Sequence, residues 1–191
     1  MFHPVFIPLL ITWFLVYSHP FYFTRSHFLV YGPVIENTII LPVFTVLMLK
    51  ALKFIKSFYL REQKDRIIPY MATMIYYFWL YLALHKQMDP PYPAIFIAFL
   101  LGNFIAIILI FMVNIFLKVS MHTTAAGGML GVILLMLGDP YVNITLPLMI
   151  VLLIAGLIAT SRMILSAHNN MEIYSGFLIG IFSQLIAMLI I

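Results

Sequence analysis

The sequence predicts an all-α fold: a polytopic transmembrane bundle of about six to seven membrane helices. Three observations carry this prediction. Of the 191 residues, 64% are hydrophobic and 8% are charged, against about 25% charged in a soluble domain. The apolar residues gather in successive runs, most of them close to the ~20 residues a helix needs to cross a bilayer. Short segments rich in charge, proline and aromatic residues separate the runs, and the mean hydropathy of the whole is +1.12. A chain of this size is expected to form one domain over residues 1–191.

The first run, Val5 to Tyr17, is short for a crossing and contains Pro8. It has neither the basic flank nor the small-residue cleavage site of a signal peptide, so it is expected to tilt, thin the bilayer or lie shallow. His19 to His27 is a loop whose aromatics suit a membrane interface. The second helix, Phe28 to Leu49, carries Glu36 and Asn37 mid-run. Glu36 is expected to face the bundle and be hydrogen-bonded there; the alternative is that it lines a substrate path. Lys50 to Arg66 is the main basic stretch, with Lys50, Lys53 and Lys56 at helical spacing, as in an interfacial helix that touches headgroups.

The third helix, Ile67 to Leu84, ends at the Pro-rich turn His85 to Pro93. In the fourth, Ala94 to Leu117, Asn103 and Asn114 are expected to hydrogen-bond across the bundle. The fifth, Thr123 to Leu137, holds Ala125, Ala126, Gly127, Gly128 and Gly131, small enough for close helix approach. A turn at Gly138 to Asn143 leads to the sixth helix, Ile144 to Thr160. The last, Ile173 to Ile191, places Gly176 and Gly180 four apart on one face as a packing groove.

Ionisable residues are scarce in such a chain, and those at a membrane boundary are functional candidates. The densest group is Ser161 to Glu172, SRMILSAHNNME. If that segment is helical, His168 and Glu172 share a face. The carboxylate then fixes one imidazole nitrogen and leaves the other free and more basic, as a nucleophile or base requires. Arg162 adds a fork of donors suited to phosphate oxygens. Upstream, in KVSMHTT, Ser120 can cap the fifth helix and, with His122, stand where its free N–H groups favour an anion. Arg, His and a carboxylate point to phosphoryl chemistry. With no cysteine, disulfide and thiolate chemistry are excluded. A net charge of +4, without an interleaved aromatic-basic repeat, points to anionic headgroups or phosphate and away from nucleic acid.

Ser161-Arg162, five residues, His168, three residues and an acid resembles the third signature of the type 2 phosphatidic acid phosphatase superfamily, which usually has Asp where this chain has Glu172. Lys118 to Thr124 is similar to the family's Pro-Ser-Gly-His motif, with Ser120 and His122 matching and Val119 and Met121 in place of its Pro and Gly. KDRIIP, Lys64 to Pro69, loosely follows its first signature of Lys, six residues and Arg-Pro, so the resemblance spans roughly Arg61 to Ile191. The resemblance implies a multi-pass lipid phosphatase, in the bacterial inner (cytoplasmic) membrane, that hydrolyses a phosphate monoester or diphosphate through a phosphohistidine. His168 would attack, Glu172 would orient it, and His122 would serve as general acid and then base. Lys64, Arg66, Lys118, Ser120 and Arg162 would hold the phosphate. The implied partners are a lipid phosphate and membrane lipids, with no cofactor and no metal. Undecaprenyl diphosphate, phosphatidylglycerol phosphate, phosphatidic acid and lipid A phosphates all stay open as substrates.

Three rival readings stand beside this one: a phosphotransferase using the same site, a non-catalytic transporter or scaffold of the same fold, and a metal site of His122, His168 and Glu172. Counting crossings supports a composite site. Two helices separate Arg66 from Lys118, and two more separate His122 from Ser161, so all three segments are expected on one side of the membrane. Lys50, Lys53, Lys56 and Arg61 fall on that side and Arg25 and Lys86 on the other, which leans to a cytoplasmic site. Many bacterial members of the resembled family act on the outer face instead.

Overall fold

In lipid a spanning chain must satisfy its backbone hydrogen bonds internally, and apolar runs therefore become helices. The structure, a computed structural model, describes residues 4–23, 27–55, 63–86, 92–140 and 142–191. Within these residues the regular elements are all helical: α1 (Pro4–Ser18), α2 (Phe28–Ala51), α3 (Asp65–His85), α4 (Ala94–Asn114), α5 (Met121–Gly138), α6 (Thr145–Ile164) and α7 (Asn170–Ile190). Helices α2 to α7, six in number, are each long and apolar enough to cross a membrane. The bundle is thus a multi-pass membrane protein, as composition indicated. At about 1.5 Å per residue, α1 is too short to span a ~30 Å core. It does not lie shallow outside the bundle, however, because Ile11 and Leu15 are buried in the main core. Residues 56–62 of the expected interfacial stretch, Lys56 and Arg61 among them, lie outside the described residues, as do Arg25 and much of the Pro-rich turn before α4.

The centre of the bundle is the crossing of α5 and α7. A Cβ built on Gly180 would come within 2.0 Å of the Thr124 carbonyl oxygen, and one on Gly176 within 2.8 Å of the Ser120 carbonyl oxygen. Only glycine permits this backbone contact. Around it, Ala126, Met129 and Ile133 of α5 join Phe96, Phe99 and Leu100 of α4 in one continuous core. Asn103 of α4 meets α7, accepting a hydrogen bond from Gln184 Nε2 at 3.3 Å.

Helix α2 departs from expectation at Glu36. Asn37 Nδ2 donates to the Pro33 carbonyl at 2.9 Å, which competes with the i→i−4 ladder. A π-helical stretch, Glu36–Ile40, results. Its wide turn rotates Asn37 and Thr38 into the bundle, where both are buried, and leaves Glu36 exposed. Glu36 therefore neither faces the bundle nor lines the cavity described next.

Candidate active site

Two helix caps organise the segment between α6 and α7. Helix α6 ends in a Schellman motif, in which Ala167 N–H reaches the Arg162 carbonyl at 3.1 Å and Ser166 N–H reaches the Met163 carbonyl at 2.9 Å. Ser166 takes the left-handed conformation this requires, with φ 48°. Helix α7 starts at the N-cap Asn169, whose Oδ1 accepts the Glu172 N–H at 2.8 Å. His168 is the single residue between the two motifs. It is not helical, so the shared helix face of the sequence reading does not form. Glu172 instead reaches back over the cap and accepts from His168 Nδ1 at 2.6 Å. Arg162 lies in the last turn of α6 and Glu172 in the first turn of α7.

Nδ1 is thereby held as a donor, and Nε2 keeps the lone pair. Burial lowers the His168 imidazole below the ordinary histidine range; the Glu172 hydrogen bond opposes this, and the charges of Lys118 and Arg66 push the same way as burial. A ring that is neutral at neutral pH, with one nitrogen fixed, is what a nucleophilic histidine requires.

The segment before α5 is stitched to this one. Lys118 Nζ donates to the Ala167 carbonyl at 3.0 Å, and Ser120 N–H donates to the Glu172 carbonyl at 3.2 Å. Ser120 is the N-cap of α5: its Oγ accepts the Thr123 N–H at 3.5 Å. Thr123 and Thr124 both return their hydroxyls to its carbonyl.

One cavity of about 910 Å³ gathers Arg66 of α3, Lys118, His122 of α5, Arg162 of α6 and His168. Five of the residues singled out in the sequence thus line one cavity. Arg162 Nε is buried there with no hydrogen-bond partner among the described residues, a donor that a bound oxyanion would satisfy. Arg66 neighbours the hydroxyl of Tyr70 one helical turn deeper. Glu172 stands behind His168, outside the cavity lining. Ser120 is fully buried and off the lining too, because its hydroxyl turns to its own helix. The side chain of Lys64 lies outside the described residues. Beyond the cationic end the walls are mainly apolar, with Val43, Leu47, Ile107, Ile110 and Met129.

Sequence reasoning passed over Tyr70 and Gln184, which also line the cavity. A tyrosine one turn after Arg66, and a carboxamide in the last apolar run, were the signals available. Among the described residues, no three His, Cys, Asp or Glu side chains come together as a metal site would need. Three cations and two imidazoles around a half-enclosed space suit capture of a phosphoryl group and its transfer to or from histidine.

Residues 111–191 match the PAP2 superfamily, the family of the type 2 phosphatidic acid phosphatases. The match includes Lys118, His122, Arg162, His168 and Glu172, and begins after Arg66. No curated protein and no solved structure matches the chain.

Proposed function

We propose, for a chain whose residues 111–191 match the PAP2 superfamily, that the phosphatase-type chemistry of that family is directed here at a lipid phosphate and proceeds through a phosphohistidine. The observation that carries the reading is the shape of the cavity. A cluster of Arg66, Lys118, Arg162, His122 and His168 lies at one end, and apolar side chains of the spanning helices continue from it. Such a space fits a phosphate joined to a hydrocarbon chain.

In this mechanism His168 Nε2 attacks phosphorus, and the bond to the leaving oxygen breaks. The Glu172 carboxylate, on Nδ1, stabilises the imidazolium charge that develops. Arg162, Arg66 and Lys118 hold the equatorial oxygens, where preorganised charge carries most of such catalysis. His122, in the first turn of α5, protonates the leaving lipid oxygen and then takes a proton from the water that hydrolyses the N–P bond. Ser120 acts from behind the wall: its hydroxyl caps α5 and its N–H anchors the Glu172 backbone. The protein is read as an enzyme of the bacterial inner membrane with no need of a cofactor.

The test is phosphate release by the purified protein from a panel of lipid mono- and diphosphates, with and without chelator. Acid-labile phosphate trapped on His168 is expected. Release that needs a metal, or no release from any lipid, refutes the reading. The phosphotransferase alternative is read in the same experiment, as phosphate that appears on an added lipid or sugar acceptor rather than in water.

A further inference from the structure

The cavity extends further than a phosphate requires. Down α5 its lining passes from His122 to Thr124, Ala125, Gly128 and Met129, and it closes against Gln184 of α7 and Asn103 of α4. Gln184 is entirely buried, at 0% exposure. Its Nε2 donates to Asn103 Oδ1 at 3.3 Å, which uses one of the two amide hydrogens. Its Oε1 is buried and has no hydrogen-bond partner among the described residues. Glycine packing gives the amide its place: a Cβ on Gly102 would fall within 2.4 Å of Oε1, and one on Gly128 would lie 3.7 Å from Nε2. A buried acceptor left empty within a membrane is costly, and each such group calls for a partner.

The depth of this amide follows from the helix. Gly128, beside Gln184 Nε2, is six residues after His122 on α5, which at the α-helical rise is about 9 Å further into the bundle. We infer that Gln184, supported by Asn103, is a second polar subsite that hydrogen-bonds a hydroxyl or amide carried on the apolar chain of the substrate, about 9 Å deeper in the bundle than His122. Such a group supplies a donor for Oε1 and an acceptor for the remaining Nε2 hydrogen. A plain hydrocarbon or isoprenoid chain supplies neither. The subsite therefore selects among lipid phosphates by a group remote from the reacting centre.

This rests on the lipid phosphatase reading, and the test separates the two. Two synthetic lipid phosphates of equal chain length are compared, one plain and one with a hydroxyl at the stated distance. The wild-type chain is expected to favour the hydroxylated lipid by about 2- to 13-fold in kcat/KM, the worth of one net hydrogen bond. In Gln184→Met and in Asn103→Leu that ratio should fall toward one. An equal ratio in wild type and variants overturns the inference and leaves Gln184 as a tie between α4, α5 and α7. In parallel, thermal shifts are measured with the two corresponding lipid alcohols, which need no turnover. The hydroxylated alcohol should give the larger shift in wild type and no excess in Gln184→Met; equal shifts in wild type also overturn it. If neither phosphate is hydrolysed while the shifts differ as stated, the enzymatic reading fails and the subsite stands.

Discussion

Replacing Glu172 by the acid most usual in the family is expected to harm this chain. The carboxylate accepts from His168 Nδ1 at 2.6 Å, and it does so backward across the Asn169 cap. Its backbone is pinned by the Asn169 side chain on its N–H and by the Ser120 N–H, 3.2 Å from its carbonyl. Removing one methylene withdraws the oxygen by roughly a single C–C bond, ~1.5 Å. The gap then becomes about 4 Å, beyond hydrogen-bonding range. The interaction is charge-assisted and its side chains are only 9% and 18% exposed. Its loss is expected to cost about 1.5–3 kcal/mol of transition-state stabilisation. Glu172→Asp should therefore lower kcat by about 10- to 150-fold, with phosphoenzyme formation slowed by the same factor. Rapid-quench trapping of acid-labile phosphate, beside steady-state turnover, measures both. An Asp variant as fast as wild type would refute the argument that the extra methylene spans the cap. A variant slow in turnover but normal in phosphoenzyme formation would move Glu172 to the hydrolysis step.

Other outcomes follow from the same geometry. Arg162→Lys should lose at least about tenfold in kcat/KM, since a point charge cannot replace a planar fork; near-normal turnover would reduce Arg162 to general positive charge. His122→Ala should slow hydrolysis of an alkyl phosphate by about 10²–10⁴-fold and be partly rescued on an aryl phosphate or diphosphate, whose leaving group needs no proton. Rescue confined to His168→Ala would reverse the two roles. The Lys118 charge lowers the His168 pKa, so Lys118→Gln should move the acid limb of the kcat/KM profile to higher pH; a shift to lower pH contradicts the assigned contact. Ser166→Gly should raise thermal stability, by up to about 1–2 kcal/mol, because it removes a left-handed non-glycine residue. Ser166→Val should lower both stability and turnover, and equal melting temperatures for all three would show that the turn carries no strain.

The parts of this molecule that were legible in the sequence are those fixed by solvent. Lipid offers no partner for a backbone amide, so hydropathy alone located six spanning helices. The crossing count then put the start of α3, the ends of α4 and α6 and the starts of α5 and α7 at one face, and Arg66, Lys118, His122, Arg162 and His168 do share one cavity. What was not legible depends on which of two local hydrogen bonds a side chain makes. Asn37 takes the Pro33 carbonyl and turns Glu36 outward. Ser120 was readable as the cap of α5, but not that its bond to the Thr123 amide withdraws the hydroxyl from the cavity. The Schellman turn was hidden because Ser166 stands where glycine or asparagine would have announced it. Gln184 was visible as a letter, but its role needs Gly102, Gly128 and Asn103 around it, on two other helices.

The two caps also explain how one residue of a membrane protein loop can be held for the proposed attack. A loop ordinarily has freedom at each φ and ψ, and fixing a nucleophile within it costs conformational entropy at the moment of reaction. Here the freedom is removed beforehand. The carbonyl of Ala167, just before His168, accepts from Lys118, and Asn169, just after it, is locked as the N-cap of α7. Both anchors lead back to α5, since Lys118 precedes it and Ser120 caps it while bonding Glu172. The close approach at Gly176 and Gly180 makes those bonds possible by bringing α7 against the first turns of α5. The imidazole is thus positioned by the helix crossing at the centre of the fold, and a side chain introduced at Gly176, meeting the Ser120 carbonyl and the Thr123 and Thr124 hydroxyls, would disturb the proposed catalysis by parting α5 from α7.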